Sequence, residues 1–273
     1  MNKRIFYLLC CISFAASAQN AKDSLSVVSK DWKTEKIAKG VVWKQGHFTD
    51  LFDSEQEINY VEVDLKKQAK RVHLAADPKV LKTTSAFAEE NRVLVAINGG
   101  FFDVKNGGAV DYIKVDGKVV NLTRTPSARA NAVLTLHKKK ITIQAATPEN
   151  TEQSTAENVM LSGPLLVLNG SSIALDGNPF NSNRHPRTAM AVQKNHKLIL
   201  IVVDGRNSKA YGMSLMELAR VMKWLGAKDA MNLDGGGSST LYIKGKGIVN
   251  YPSDNKQFDH EGQRKVANIV YLR

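Results

Sequence analysis

Leu198-Ile-Leu-Ile-Val-Val203, followed directly by Asp204-Gly-Arg-Asn207, is the stretch that decides the fold of this chain of 273 residues. Its six consecutive apolar residues, most of them β-branched, are typical of a central strand that is covered on both faces. Val93 to Ile97 has the same character and predicts a second central strand. The chain is therefore expected to be built around buried β-sheet.

Shorter patterns around these strands indicate further sheet and hairpins. Val61, Val63 and Leu65 alternate with charged residues, which is the pattern of a half-buried strand. Asp116-Gly117 lies between two short apolar runs and predicts a type I′ hairpin, because both central positions of that turn need a positive φ. Apolar residues make up 43% of the chain and charged residues 23%, which excludes fibrous, coiled-coil and wholly disordered classes.

Two helices are predicted from their end signals. Asp77-Pro78 offers an N-cap and a first-turn proline for a helix through about Asn91. Ser214 and Glu217 form a capping box for a second helix, which Gly226 ends. The expected fold class is α+β: a mixed, largely antiparallel twisted β-sheet with helices packed against it, in a single domain.

The beginning of the chain is typical of a signal peptide over residues 1–18. Lys3 and Arg4 precede the apolar stretch from Ile5 to Ala16, and Ala16-Ser17-Ala18 is a small-x-small cleavage site. Residues 19–40 are polar and lysine-rich and are predicted to be a flexible leader, so the folded domain is expected over 41–273. No later apolar stretch is long enough to span a bilayer. The sequence predicts a periplasmic or secreted protein without stable membrane insertion.

The positions of the cysteines and the net charge exclude several kinds of site and partner. Cys10 and Cys11 both lie within the signal peptide, so the processed chain has no disulfide, zinc–thiolate site or cysteine nucleophile. The formal net charge of +12 favours anionic partners. Only Lys138-Lys139-Lys140 forms a basic run, and its position between two strand patterns predicts a solvated hairpin turn. We therefore expect no nucleic-acid partner.

Three predicted strands end in polar or glycine residues, which makes these ends the candidate site. The first runs into Asn98-Gly-Gly-Phe-Phe-Asp103, the second into Asp204, and the third into Asn232-Leu-Asp-Gly-Gly-Gly-Ser-Ser-Thr240. If the strands are neighbours, Asn98, Asp204, Asn232 and Asp234 converge on one cleft. Three successive glycines cost chain entropy that a plain turn does not require, and their N–H groups can bind an anion.

An arginine is needed to hold such an anion, and the sequence offers several. His185-Pro-Arg-Thr188 places Arg187 and the hydroxyl of Thr188 at the start of a strand. Arg124 and Arg129 compete for the same role on equal grounds. No nucleophile elbow, HExxH motif or EF-hand loop is present, and the six histidines are dispersed. Carboxylates remain the acid–base groups.

These segments resemble the phosphodiester glycosidase family. The resemblance lies in Ile97-Asn-Gly-Gly-Phe-Phe-Asp103, Pro186-Arg-Thr-Ala189, Val203-Asp-Gly-Arg206, Gly212-Met-Ser-Leu215 and Asn232-Leu-Asp-Gly-Gly-Gly-Ser-Ser-Thr240, with weaker matches at Ser162-Gly-Pro-Leu-Leu166 and Arg264-Lys-Val-Ala-Asn268. It implies hydrolysis of a small-molecule or glycan phosphodiester at the anomeric C1–O bond, which gives a free sugar and a phosphomonoester.

The resemblance also implies roles for individual residues. Asp234 or Asp204 is the expected base or nucleophile, and Asn98 and Asn232 orient sugar or phosphate oxygens. The residues expected to bind substrate or phosphate are Arg187, Thr188, Gly99, Gly100, Phe102, Gly235, Gly236, Gly237, Ser238, Ser239 and Arg206.

Two other functions stay open at this point. One is a non-catalytic protein that binds phosphorylated glycans, and the other is a phosphodiesterase that cuts the P–O bond. Asp103, Asp204 and Asp234 carry oxygen ligands of the kind that calcium or magnesium takes. Nothing in the sequence fixes a coordination set, so it assigns no metal and no cofactor.

Overall fold

The computed structural model describes residues 19–123 and 126–273. The predicted signal peptide, residues 1–18, and Arg124 lie outside the described residues. Helix α1 covers residues 19–28. The other helices are α2 (Leu65–Gln68), α3 (Thr84–Glu90), α4 (Pro179–Ser182) and α5 (Leu215–Trp224), with single 3₁₀ turns at Ala69–Arg71, Pro148–Asn150 and Gly236–Ser238.

Twenty strands are described in these parts of the chain. They are β1 (Lys33–Ala38), β2 (Val41–Phe48), β3 (Gln56–Asp64), β4 (Val72–Ala76), β5 (Lys82–Thr83), β6 (Val95–Asn98), β7 (Ile113–Val115), β8 (Lys118–Asn121), β9 (Ala132–His137), β10 (Lys140–Ala145), β11 (Asn158–Ser162), β12 (Leu165–Leu168), β13 (Ser171–Ser172), β14 (Arg187–Gln193), β15 (Lys197–Val203), β16 (Ala227–Asn232), β17 (Leu241–Ile243), β18 (Gly247–Ile248), β19 (Lys265–Val266) and β20 (Asn268–Leu272).

The strands form three sheets and a short pair. The first sheet has the order β1-β2-β3-β15-β14-β16-β12-β13, the second β10-β9-β11-β7-β8, and the third β18-β17-β6-β20-β4, while β19 pairs with β5. Every pairing between described residues is antiparallel. The α+β, largely antiparallel prediction is confirmed, with three sheets where a single one was expected.

The core lies where the sheets face one another. Strands β6 and β15, the two predicted central strands, are almost entirely buried, as their continuous apolar sequences indicated. Helix α5 packs on β12 and β16 of the first sheet, whereas α3 packs on β6 and β20 of the third. No helix in the described part of the chain is both long and apolar enough to cross a membrane.

The residues that mark helix ends predicted the position of one helix correctly and that of the other incorrectly. Ser214 and Glu217 form the expected capping box, and Gly226 follows α5 with a φ of 85°. At Asp77 the structure differs from the prediction, because its carboxylate accepts from Lys79 N and Val80 N and so closes a turn. The helix begins after Thr83, whose hydroxyl accepts from Ala86 N. Asx turns and helix N-caps share the same local hydrogen bonds, so a short sequence does not separate them.

Residues 19–40 differ from the flexible leader that their composition predicted. Asp23 is only 1% exposed and accepts from Phe52 N at 3.1 Å. Trp32 packs edge-on against Phe48 and Tyr60, and β1 extends the first sheet beside β2. A few anchoring side chains among many lysines are enough to fix the segment to the domain.

Candidate active site

The first sheet brings two of the three polar strand ends together. Strand β14 lies between β15 and β16 and is antiparallel to both, with Arg187 opposite Val203 and Ala189 opposite Asn232. The carboxyl ends of β15 and β16 therefore both lie beside the start of β14. Strand β6 of the third sheet reaches the same place, where Asp234 N donates to Gly99 O at 3.0 Å. The predicted convergence of the polar strand ends is present in the structure.

Asn98 joins these segments from a fully buried position. Its Nδ2 donates to Asp234 O at 2.7 Å, and its Oδ1 accepts from Thr188 Oγ1 at 2.8 Å and from Thr240 N at 3.1 Å. Both lone pairs of this oxygen are thus used within the protein. Asn98 and Thr188 are buried and tie these segments together, and the substrate-orienting roles implied by the resemblance stay predictions.

Asn232 is also buried, with a different pattern of partners. Its Nδ2 donates to Gly163 O at 2.8 Å and to Leu233 O at 2.6 Å. Its Oδ1 is buried without a hydrogen-bond partner, as are the hydroxyls of Ser239 and Thr240. Unpaired polar atoms are costly inside a protein, and these belong to the end of β16 and to the residues that follow the glycine loop.

Asp204 is a buried member of the cluster. The residue is fully buried, and its Oδ1 accepts from Asn250 Nδ2 at 2.8 Å and from Tyr251 N at 2.9 Å. Burial, reinforced by the nearby charge of Glu57, raises the pKa of Asp204 to about 7. These contacts make Asp204 the anchor of the segment that follows β18, and its catalytic role stays a prediction.

Asp234 is the carboxyl group of the cluster that remains partly exposed. The surrounding protein excludes enough water to raise the pKa of Asp234 to about 6, opposed by Ser238, by the Gly235 N–H, and by the positive charges of Arg264 and Arg129. A partly exposed carboxyl group of this pKa, near the positive charges of Arg264 and Arg129, is a candidate for acid–base or nucleophilic chemistry.

The glycine loop is shaped by close approaches that leave no room for side chains. Gly236 has a φ of 64°, and a Cβ there would lie 3.0 Å from Arg206 Nη2. A Cβ on Gly235 would meet Pro186 O at 2.8 Å, and one on Gly237 would meet Asp254 Oδ1 at 2.2 Å. The three-glycine run therefore has a structural cause, and it also places Arg206 directly over the loop.

Arg187, the predicted phosphate ligand, has a different position. It is 2% exposed, and it donates from Nε to Met213 O and from Nη2 to Phe180 O and Asn183 O, each at 2.8 Å. Burial, together with the charge of Arg206, lowers the pKa of Arg187 to about 10. Three of its five N–H donors are used by backbone carbonyls, so Arg187 braces the start of β14.

Among the described residues, Arg129 and Arg264 contribute positive charge at Asp234, and Arg206 lies at the glycine loop. Arg206 is exposed and follows β15, at the end of the Asp204-Gly-Arg motif. The guanidinium of Arg129 lies over the Phe101 ring, 4.2 Å from its centroid. Arg264 pairs with Asp254 at 2.5 Å, and its backbone N donates to Gly237 O at 3.1 Å. Arg206 was predicted among the binding residues, and Arg129 stood as a competitor of Arg187.

Gly99, Gly100 and Phe102 make close contacts with neighbouring segments, and their predicted role in substrate binding stays a prediction. Asn268 Oδ1 accepts from Gly100 N at 2.6 Å, and a Cβ on Gly99 would lie 2.1 Å from that oxygen. Phe102 packs against the apolar cluster of the third sheet. The role of Asn268 was missed from the sequence, although it ends the weakly matching segment that begins at Arg264.

This close approach predicts a stability difference between two glycine substitutions. Gly99→Ala is expected to lower the free energy of unfolding by about 1–3 kcal/mol, because its Cβ overlaps Asn268. Gly177→Ala is the matched control, since no atom lies within 4 Å of its Cβ and its φ is not positive. Urea titration of both variants measures the difference, and equal stabilities would contradict this reading of the Asn98-Gly-Gly motif.

Two further acidic residues, Asp111 and Asp103, differ in their surroundings. Asp111 is 9% exposed, and burial raises its pKa to about 6 while Arg129 opposes the shift. Asp103 is exposed and accepts from Lys105 N and Asn106 N, so its carboxylate orders its own loop. Among residues 19–123 and 126–273, no three histidines or carboxylates form a group that could hold a metal ion.

Comparison with known proteins gives the class of enzyme and then the family. The chain is 27% identical over 207 residues to N-acetylglucosamine-1-phosphodiester alpha-N-acetylglucosaminidase of Bos taurus and 26% identical over 195 residues to that of Homo sapiens, covering 69% and 64% of the chain. Both relatives are glycosidases by name. Residues 91–273 match the family model described as phosphodiester glycosidase. The chain belongs to the phosphodiester glycosidase family, which confirms the resemblance seen in the motifs.

Solved structures show the same fold. The catalytic domain of the zebrafish N-acetylglucosamine-1-phosphodiester alpha-N-acetylglucosaminidase superposes with a TM-score of 0.69 at 22% identity, covering 89% of this chain and 87% of that one. A hypothetical protein from Synechocystis gives 0.71 at 16% identity and covers 89% of this chain and 64% of that one. The chain spans only 38% and 37% of the length of the bovine and human relatives.

Proposed function

We propose that the chain hydrolyses the glycosidic C1–O bond of sugar-1-phosphodiesters and releases a free sugar and a phosphomonoester. The observation that supports this most directly is the largely buried but partly exposed Asp234, with a pKa raised to about 6, beside the glycine loop and the charges of Arg264 and Arg129. The names of the curated relatives point to N-acetylglucosamine as the sugar to test first. The signal-peptide pattern supports action outside the cytoplasm, on capped sugar phosphates or glycan–phosphate polymers.

We place the phosphate among the arginines because of the distribution of charge around Asp234. Arg129, over Phe101, and Arg264, beside Gly237, contribute positive charge at Asp234, and Arg206 lies over the glycine loop. Their guanidinium groups suit phosphate oxygens, and they stabilise the charge that grows on the leaving phosphate as the C1–O bond breaks. A phosphate leaves readily, so the reaction depends less on a strong general acid than that of an ordinary glycosidase.

Asp234 acts on the sugar side of the bond in this proposal. Its ionised carboxylate either accepts a proton from the attacking water or attacks the anomeric carbon itself, and in both cases it stabilises the positive charge that develops there. Asn98, Thr188 and Asp204 hold this carboxylate in place through the backbone of the loop.

The pKa of Asp234 predicts the pH dependence of the reaction. A carboxylate that must be ionised loses activity as the pH falls through its pKa. Values of kcat/KM are therefore expected to fall about tenfold per pH unit below about pH 6, and not below about pH 4 as for an ordinary aspartate. Arg264→Met should move this acidic limb to higher pH, whereas Lys139→Met should not. An acidic limb near pH 4 in the unmodified chain would contradict the assignment.

The position of the cleaved bond separates this proposal from a phosphodiesterase. Hydrolysis in ¹⁸O-water is expected to place the label in the released sugar, because water attacks the anomeric carbon. Label in the phosphomonoester would show cleavage of the P–O bond and overturn the proposal. A non-catalytic binding protein would release neither product from any sugar-1-phosphodiester.

A further inference from the structure

A cavity of about 810 Å³ lies along strand β10, at one edge of the second sheet. All six residues of β10 line it, together with Thr147 and Asn150 from the segment after the strand. The rest of the lining comes from the first sheet and its turns: Leu168, Asn169, Val192, His196, Lys228 and Asp229. The cavity therefore follows an edge strand over its whole length, which is about 20 Å for six residues.

This cavity is separate from the candidate active site. Val192 and Lys228 belong to the end of β14 and the beginning of β16, whereas Arg187 and Asn232 stand at the other ends of the same two strands. Because β14 and β16 are antiparallel, the cavity and the candidate active site lie at opposite ends of this strand pair. An inference about the cavity is thus independent of the proposed hydrolysis.

Strand β10 presents a long and regular free edge. Among the described residues its one hydrogen-bonded neighbour is β9, and the six residue pairs between them show no register shift. The other six-residue edge strand, β1, has a register shift between Lys36 and Ala38 and carries three charged side chains. Bulges and charges protect an edge from pairing with another chain. In β10, Lys140 is the one charged residue, and the Ile-Thr-Ile-Gln-Ala that follows it leaves the edge open.

The alternation along β10 decides which backbone groups face this edge. In an antiparallel pair, alternate residues exchange hydrogen bonds with the neighbouring strand, and the residues between them turn their N–H and C=O groups away. Ala146 N donates to the residue before β9 at 2.9 Å, so Thr142 and Gln144 are the residues bonded to β9. Ile141 and Ile143 therefore direct their N–H and C=O groups to the free edge, while their side chains are buried in the core.

The charge of the lining favours an acidic ligand. Lys140 and Lys228 line the cavity and are exposed, whereas Asp229 is its one carboxylate. Asp229 Oδ1 already accepts from Asn169 N at 2.9 Å, and its Oδ2 lies 3.6 Å from Lys228 Nζ. A negatively charged side chain placed here gains attraction from the lysines and meets a carboxylate that is already neutralised in part.

We propose that the cavity binds an extended peptide that adds a strand to β10 and places an acidic side chain near Lys140 and Lys228. A row of backbone donors and acceptors that repeats at every second residue matches another extended backbone, which is the basis of recognition by strand addition. A second copy of β10 carries a lysine and no acidic residue, so it lacks the charge complementarity of an acidic peptide.

The first test is binding of the whole chain to an array of hexapeptides with Glu at both ends and Val, Ile, Thr, Tyr or Ser at the four positions between. Some members are expected to bind saturably with Kd below about 1 mM, and exchange of both Glu residues for Lys should weaken binding at least about tenfold. The double variant Lys140→Glu, Lys228→Glu should reverse this preference. Lys139→Glu is the matched control and should not, since Lys139 belongs to the same turn but lines a different cavity.

Amide hydrogen exchange shows whether the bound peptide lies along the edge. The tightest-binding hexapeptide is expected to slow exchange at Ile141 and Ile143 at least about tenfold, with little change at Thr142 and Gln144, which are already bonded to β9. Acidic hexapeptides that all fail to bind, or that bind without protecting Ile141 and Ile143, would overturn the proposal. Protection of these two amides that rises with protein concentration in the absence of peptide would identify self-association and overturn it as well.

A proline variant tests the role of the backbone separately from charge and folding. Ala145 is exposed, and its O accepts from Asn150 Nδ2 at 2.9 Å, so its N–H faces the free edge and not β9. Proline is tolerated at such edge positions. Ala145→Pro is therefore expected to keep the melting temperature and to weaken binding of the hexapeptide about three- to tenfold. Unchanged affinity in this variant would contradict strand addition at this end of β10.

Discussion

Asp234→Asn is expected to lower kcat/KM for a sugar-1-phosphodiester at least about a hundredfold. The amide has nearly the same shape as the carboxyl group, yet it neither accepts a proton at neutral pH nor attacks the anomeric carbon. The measurement is release of N-acetylglucosamine from UDP-GlcNAc and from a GlcNAc-1-phospho-methyl diester. Asp234 is the partly exposed carboxyl group of the cluster, whereas Asp204 is fully buried.

Asp204→Asn is the variant to compare with Asp234→Asn. Asp204 is fully buried and accepts from Asn250 and Tyr251, so its loss is expected to lower the melting temperature rather than to abolish turnover at low temperature. Loss of activity in Asp204→Asn with unchanged stability, together with activity retained in Asp234→Asn, would reverse the assignment. Absence of turnover in wild type on a wider panel of sugar-1-phosphodiesters would favour a binding protein.

Arg187→Met is expected to destabilise the protein by about 3 kcal/mol or more, whereas Arg206→Met is expected to leave its stability almost unchanged. Removing the buried guanidinium leaves the carbonyls of Met213, Phe180 and Asn183 without a donor. Arg206 is exposed and lies over Gly236, so its removal should instead lower kcat/KM about tenfold or more through lost contact with the phosphate.

Denaturant titration and steady-state kinetics of the two variants test this pair. Arg187→Lys should not restore stability, because an ammonium group lacks the planar fork that reaches three carbonyls. Should Arg187→Met prove as stable as wild type and selectively lose affinity for the diester, Arg187 would be the phosphate ligand that its sequence motif suggested. An Arg206→Met variant with unchanged kinetics would remove Arg206 from the site.

Local sequence patterns determined the elements that depend on near neighbours. The continuous apolar runs of β6 and β15, the capping box at Ser214 and the turn at Asp116-Gly117 all formed as expected, with φ values of 46° and 79° in that turn. Each of these depends on contacts within a few residues or on burial of a whole strand. The family motifs identified the family for the same reason, since a motif is a local string of residues.

Some sequence patterns are compatible with two local structures, and contacts with the rest of the molecule determined which of the two formed. Asp77-Pro78 suits a helix start and an Asx turn equally well, and the structure has the turn. The lysine-rich residues 19–40 suit a loose leader by composition, yet Asp23 and Trp32 find partners on the first sheet. The contacts that stabilise one local structure over the other are made with residues distant in the sequence. A short segment therefore does not show which structure will form.

The roles of the site residues also depend partly on the local sequence and partly on the tertiary structure. The sequence by itself placed Asn98, Asp204, Asn232 and Asp234 at the ends of predicted strands, and the tertiary structure brings those strand ends together. Only the tertiary structure decided that Asp204 and Arg187 are buried while Asp234 is partly exposed and Arg206 is exposed. The physical reason is that exposure and hydrogen-bond partners are set by which segments cover a side chain, and these segments, at Asn183, Met213 and Asn250, come from elsewhere in the chain.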